Sequence, residues 1–284
     1  MGWSLRPALN LSGRQFQQWS QLLEMRTGML LKPSQKSMLQ AQLAMRMREI
    51  NCEDVDQYFK SVQKEVVGAQ EWSVLVSRIS VNETRFFRHQ ESFEWVKSYV
   101  DRLLVQLPAD VSLWSVGCAT GEEPYSLAML VDECLERAAS VAQMRVVASD
   151  ISAEAIKTAR AGEYSINTAT QIGPHLLEKY FESHSGKYRV CEKLRERVSF
   201  SDANVLNLGG EIDDSEKFDV VFCQNMLIYF QDWRKENVLN ALANYVKPGG
   251  ILIVGLGETR SWRNPLLTPC KDQHVQVYTR TPTE

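Results

Sequence analysis

No stretch of this 284-residue chain reaches the run of about 18 apolar residues that a membrane-spanning helix needs, so no direct membrane insertion is expected. The first residues lack a basic region followed by an apolar core, and no signal peptide is read there. The six cysteines include no Cys-x-x-Cys pair, and the four histidines show no metal-ligand spacing, so no metal site is expected. Several cysteines sit in apolar runs such as L-W-S-V-G-C118, the setting of buried, reduced thiols in a cytoplasmic protein. Internal repeats and low-complexity tracts are missing too. A net charge of −3 does not point to nucleic acid as a partner. That charge is uneven, however. Residues 1 to 60 hold eight Lys/Arg against five Asp/Glu, so the rest of the chain is acidic. A basic N-terminal region suggests either a docking face for an acidic partner or a solvated helix surface.

What is present falls into two patterns. Residues 11 to 80 read as helical, with helices expected over 35–50, 54–62 and 70–79. Arg46 and Arg48 lie near the C-terminal end of the first of these, where the helix dipole favours cations. From about residue 112, strands and helices alternate. Strands are expected over 113–116, 144–149, 198–201, 218–223, 251–256 and 275–279, and helices over 122–137, 153–160 and 232–246. This alternation predicts an α/β fold with a mostly parallel sheet covered on both faces. Ser152 reads as the N-cap of the second helix. The dipeptide-rich stop K247-P-G-G reads as the end of the third. Residues 163 to 195 break the pattern and read as an insertion.

The loop after the first strand, V116-G-C-A-T-G-E-E123, has the spacing G-x-x-x-G rather than G-x-G-x-x-G. A phosphate there would meet Glu122 and Glu123 at close range, which cancels the advantage of a helix N-terminus for anions. The loop suits a cationic ligand without phosphate, such as S-adenosylmethionine. A plain glycine turn with an acidic first helical turn remains the alternative. Asp150 ends the second strand, where an acid can accept hydrogen bonds from both hydroxyls of a ribose. Asn204 and Val205 follow the third strand, placed to meet an adenine edge and face. Gln224 and Asn225 interrupt an apolar run at the end of the fourth, a costly placement unless a ligand or the backbone satisfies them.

Taken together, N82-E-T-R-F-F-R88, S115-V-G-C-A-T-G-E-E-P-Y-S126, A148-S-D-I151 and C223-Q-N-M-L-I-Y-F230 resemble the CheR-type methyltransferases that modify glutamates of chemotaxis receptors. The resemblance runs over nearly the whole chain. It implies a Rossmann-like class I methyltransferase domain over 112–284, with a small antiparallel β-subdomain inserted at 163–195. Ahead of it would come an all-helical receptor-docking domain over 1–80, then a linker and cofactor-contacting segment over 81–111. The implied activity is transfer of a methyl group from S-adenosylmethionine to glutamate side chains on the cytoplasmic helical domain of methyl-accepting receptors. The products would be a glutamate methyl ester and S-adenosylhomocysteine, serving sensory adaptation. Carried over by position, the cofactor contacts fall on Asn82, Thr84, Arg88, Glu122, Asp150, Asn204, Val205, Gln224 and Asn225. Arg88 and Tyr229 fall at the reaction centre, and Arg46 and Arg48 on the docking face. A same-fold enzyme acting on another substrate, and a non-catalytic S-adenosylmethionine-binding signalling module, are the alternatives.

Three departures from the family pattern matter. Gln224 stands where the family usually has Arg. A basic residue usual near Gln42 is missing. The turn in F181-E-S-H-S-G-K-Y188 is short, whereas members that bind a receptor's C-terminal tether peptide carry a longer glycine-rich loop. Action without the tether is therefore expected, as in a branch serving a pilus or twitching-motility receptor.

Overall fold

The computed structural model describes residues 9–64, 67–80, 82–106, 109–210, 212–259 and 262–282. The first eight residues, and Pro108 in the expected linker, lie outside them. The chain forms two compact units, the first made of residues 1–81 with 229–231 and the second of the remainder.

Among its described residues the first unit holds four α-helices, α1 (Gly13–Thr27), α2 (Lys36–Glu49), α3 (Val55–Ser61) and α4 (Val67–Ile79). Helix α1 begins in a capping box. The Ser12 hydroxyl accepts from Gln15 N at 3.2 Å while Gln15 Oε1 accepts from Ser12 N at 3.0 Å, so two orphan donors are satisfied together. Gly28 ends it with φ 80°, a left-handed cap that glycine adopts without strain. In α2 the side chains Leu39, Leu43 and Met47 recur every four residues and are buried. They join Trp19, Leu23, Tyr58 and Leu75 in one apolar core.

The second unit opens with an element absent from the expected linker, the 17-residue helix α5 (Gln90–Gln106). Its apolar side chains Phe93, Val96 and Val100 are spaced at three and four residues, and they pack in the same core as Leu127 and Val131. Next come β1 (Val111–Val116), α6 (Glu122–Arg137), β2 (Met144–Asp150) and α7 (Ala153–Ala161). The insertion follows, with β3 (Glu163–Tyr164), α8 (Ile166–Ala169), α9 (Pro174–Tyr180), β4 (Phe181–His184), β5 (Lys187–Val190) and α10 (Glu192–Arg195). The main sheet then resumes through β6 (Val198–Asp202), β7 (Phe218–Cys223), α11 (Asp232–Asn244), β8 (Val246–Val254), β9 (Leu267–Pro269) and β10 (Gln276–Arg280).

Seven strands form the main sheet in the order β6-β2-β1-β7-β8-β10-β9. The first five are parallel, and β10 is antiparallel to both of its neighbours. All six residues of β1 and of β7 are buried, as expected for central parallel strands covered on both faces. Their adjacency makes the gap between β1 and β7 the switch point of a doubly wound sheet, where ligands bind beyond the strand ends. The insertion contributes a separate three-stranded antiparallel sheet, β3-β5-β4, as the sequence led one to expect. One boundary is corrected. Lys247 to Gly250 do not end a helix. Helix α11 stops at Asn244, and these residues form the irregular first part of β8, where the pairing with β7 shifts register. Pro248, which lacks a backbone donor, fits such an irregularity.

Candidate functional site

The glycine loop leaves β1 at Val116. Gly117, Ala119 and Gly121 all take positive φ, and Gly121 at 98° becomes the N-cap of α6. A Cβ on Gly121 would stand 2.8 Å from the Ala159 Cβ and 2.9 Å from the Tyr164 hydroxyl, so both conformation and space demand glycine. The loop is tied to the end of β2 by Asp150. One of its carboxylate oxygens accepts from Ala119 N at 2.8 Å and the other from Ser152 N at 2.9 Å. Each oxygen keeps lone-pair capacity for a further donor. Burial nevertheless pushes the Asp150 carboxyl above its ordinary range, ahead of the downward pull of these bonds. Ser152 caps α7 as read, its hydroxyl accepting from Ala155 N at 3.2 Å.

The two loop glutamates part company, because successive helical residues point about 100° apart. Glu122 is buried, accepts from the Thr120 hydroxyl at 2.7 Å and acts electrostatically on Tyr164. Tyr164 in turn donates to the Thr120 carbonyl at 2.9 Å. Glu122 thus faces the inserted subdomain. Glu123 accepts from the Ser115 hydroxyl at 2.7 Å, and its charge is coupled to Arg88 and Glu258. Burial pushes its carboxyl up to about 8, with Ser115 and Arg88 pulling it down and Glu258 pushing it further up. Glu123 therefore faces the switch point.

The segment carrying Asn82, Thr84 and Arg88 runs up to α5. All three side chains are half-buried. Phe86 packs edge-on against Tyr164 at 4.9 Å, and Phe87 N donates to the Ser126 hydroxyl at 3.1 Å, which fastens the segment to α6. Arg88 donates from Nη1 to the Glu83 carbonyl at 2.8 Å. Asn204 caps a short turn, its Oδ1 accepting from Leu206 N at 3.0 Å, and Val205 beside it is half-buried. After β7, Gln224 is buried and donates to the Ser92 hydroxyl at 2.6 Å. One hydrogen of its amide nitrogen is engaged by Ser92 of α5. Asn225 adopts φ 58°, and its Oδ1 lies 2.9 Å from His89 Nε2. Tyr229 closes the turn Leu227–Tyr229 and is grouped with the helical unit.

The docking pair also divides. Arg46 is half-buried and grips Glu71 with two parallel bonds, Nε to Oε1 at 2.8 Å and Nη2 to Oε2 at 2.7 Å, while Nη1 reaches Glu49 at 2.9 Å. Its charge is engaged inside the helical unit. Arg48 is exposed and forms no ion pair with a described residue.

At the carboxyl end of the sheet, Glu122, Glu123, Asp150 and Glu258 each form no ion pair with a described residue. Burial raises the pKa of all four. A glycine loop beside such acids repels phosphate and fits a cationic ligand. With this sheet order it defines a class I S-adenosylmethionine-dependent methyltransferase, and the residues present fit that cofactor. Comparison with known proteins agrees. Residues 14–80 match the all-alpha domain of CheR methyltransferase and residues 82–275 its SAM binding domain, so the chain belongs to the CheR methyltransferase family. A chemotaxis protein methyltransferase of Klebsiella aerogenes is 32% identical, with 89% of this chain and 86% of that protein aligned. Those of Salmonella typhimurium and Escherichia coli are each 30% identical over 89% of this chain and over 86% and 87% of their own lengths.

Proposed function

We propose that this methyltransferase esterifies glutamate side chains on the cytoplasmic helical domain of a chemotaxis receptor and works in the cytoplasm. The observation that carries the reading is the set of acids around the glycine loop that form no ion pair with a described residue, with Arg88 as a cation electrostatically coupled to Glu123. When bound, S-adenosylmethionine supplies a methyl carbon activated by its sulfonium. A glutamate has a reference pKa of about 4.3, so it arrives as a carboxylate and needs no general base. The chain's work is alignment. Asp150 holds a ribose diol with the lone pairs its backbone bonds leave over. Glu123 balances positive charge beside the loop. Asn82, Thr84, Asn204, Val205 and Asn225 shape the rest of the cofactor cleft. Arg88 offers the forked donors that orient a carboxylate. Tyr229 donates a hydrogen bond near the transferring methyl. Arg48, rather than Arg46, presents positive charge to an acidic receptor surface. The hairpin β4–β5 turns through only Ser185 and Gly186, which supports action without a tether peptide.

Labelled S-adenosylmethionine incubated with receptor-containing membranes tests this reading. Label in receptor-sized protein that mild alkali releases as methanol is the expected result. Cofactor binding without such label would overturn the glutamate assignment.

A further inference from the structure

Glu258 lies outside every motif that identified the site. It follows β8 in the stretch V254-G-L-G-E-T259 and is 5% exposed. Its carboxylate accepts from Gly255 N at 2.9 Å through Oε2 and from Ile228 N at 3.1 Å through Oε1, and the backbone of Asn225 also bonds to it. It forms no ion pair with a described residue, and the nearby Lys235 is engaged with Asp232 at 3.0 Å. A buried carboxylate without a counter-ion is expensive to keep. A scaffold that needed only to join two loops would do so more cheaply.

What the carboxylate joins explains the expense. One end of the clasp is the end of β8. The other is the loop after β7, which carries Asn225 in the left-handed conformation and Ile228 at 53% exposure. Asn225 is also held at its side chain by His89. Gly255 is matched to the clasp. A Cβ at that position would lie 2.4 Å from Glu258 Oε2 and 2.6 Å from its Cδ, so any larger residue displaces the carboxylate. The charge of Glu258 also acts on Glu123 across the strand ends.

We propose that Glu258 is a positioning residue, whose carboxylate clasps the loop from Asn225 to Ile228 to the end of β8 and so sets the cofactor-facing geometry of the switch point. Gly255 completes the clasp by leaving room for the carboxylate. This rests on the methyltransferase reading. Its test is cofactor binding, which needs no receptor, so failure to methylate a receptor would not be mistaken for failure of the clasp.

Glu258→Gln keeps the shape but turns a donor toward a backbone N–H. It should weaken S-adenosylmethionine binding about tenfold by calorimetry, the order expected for losing a hydrogen bond to a charged group. Gly255→Ala should act in the same direction while keeping the carboxylate. The double variant should bind no worse than the weaker single, because both changes open one clasp. Melting followed by circular dichroism sets the folded fraction for each variant. If either variant binds cofactor as the native chain does once corrected for folded fraction, Glu258 is scaffolding only and the proposal fails. Additive losses in the double variant would overturn it equally.

Discussion

The helical unit and the carboxyl end of the sheet treat buried charge in opposite ways. In the helical unit, Glu71 takes two bonds from Arg46 and a third from the Tyr58 hydroxyl at 2.6 Å, and Arg78 reaches Glu49 at 2.8 Å. Arg46 holds the Glu71 carboxyl below its ordinary range. At the sheet, Glu122 and Glu258 are buried and Glu123 and Asp150 half-buried, none forms an ion pair with a described residue, and all four are pushed upward. Paired charge is structure. Acids without a cation, whose charged form burial disfavours, are a site that a ligand of the opposite sign would ionise.

Their pH responses should therefore oppose. The Glu71 contribution is present above its unfolded value near 4.5 and is lost as pH falls through its lowered folded value. The Glu123 contribution is full below 4.5 and is lost as pH rises through about 8.

Breaking the site at Asp150 should have the largest effect. Asp150→Ala removes the ribose acceptor and unhooks Ala119, and it should cost on the order of 3 kcal/mol of cofactor affinity, about a hundredfold, by calorimetry. Breaking the paired region comes next. Arg46→Ala leaves Glu71 half-buried without its cation and should lower stability by about 2 kcal/mol in denaturant unfolding. Cofactor affinity should not change. Glu123→Gln sharpens the contrast, because it should raise the melting temperature at pH 8 by a few degrees while weakening cofactor binding. A loss of stability there would place Glu123 with the structural charges. The smallest effect belongs to Arg48→Glu. Stability should stay within about 0.5 kcal/mol, as for exposed positions generally. Receptor methylation should show a several-fold higher KM, and an unchanged KM would remove Arg48 from the docking face.

Much of the fold was legible from local rules. Helix α6 spans 122–137 and β7 spans 218–223 as periodicity and apolar runs indicated, and Ser152 caps α7. The misses have physical causes. Helix α5 carried its apolar spacing openly at Phe93, Val96 and Val100, but a segment read as a linker hid it. The start of β8 was masked by Pro248 and two glycines, which usually end elements and here sit in a register shift. Within the site, the motif holds both Glu122 and Glu123, and helix rotation turns them toward different partners, Thr120 and Ser115. Arg46 looked like a free cation because Glu71 lies 25 residues away in sequence. Glu258 stood in no pattern at all. Its role rests on backbone donors from two loops that only the folded chain brings together.

The central claim is that the acids at the switch point wait for a cation. Calorimetry of S-adenosylmethionine binding near pH 7, in two buffers of different ionisation enthalpy, tests it directly. A Glu123 carboxyl raised to about 8 is mostly protonated at that pH, and a bound cation should drive the proton off. The account predicts proton release by the native chain, tighter binding as pH rises from about 6 to about 8, and less release in Glu123→Gln. Binding without proton exchange, equal in the native chain and the variant, would contradict it.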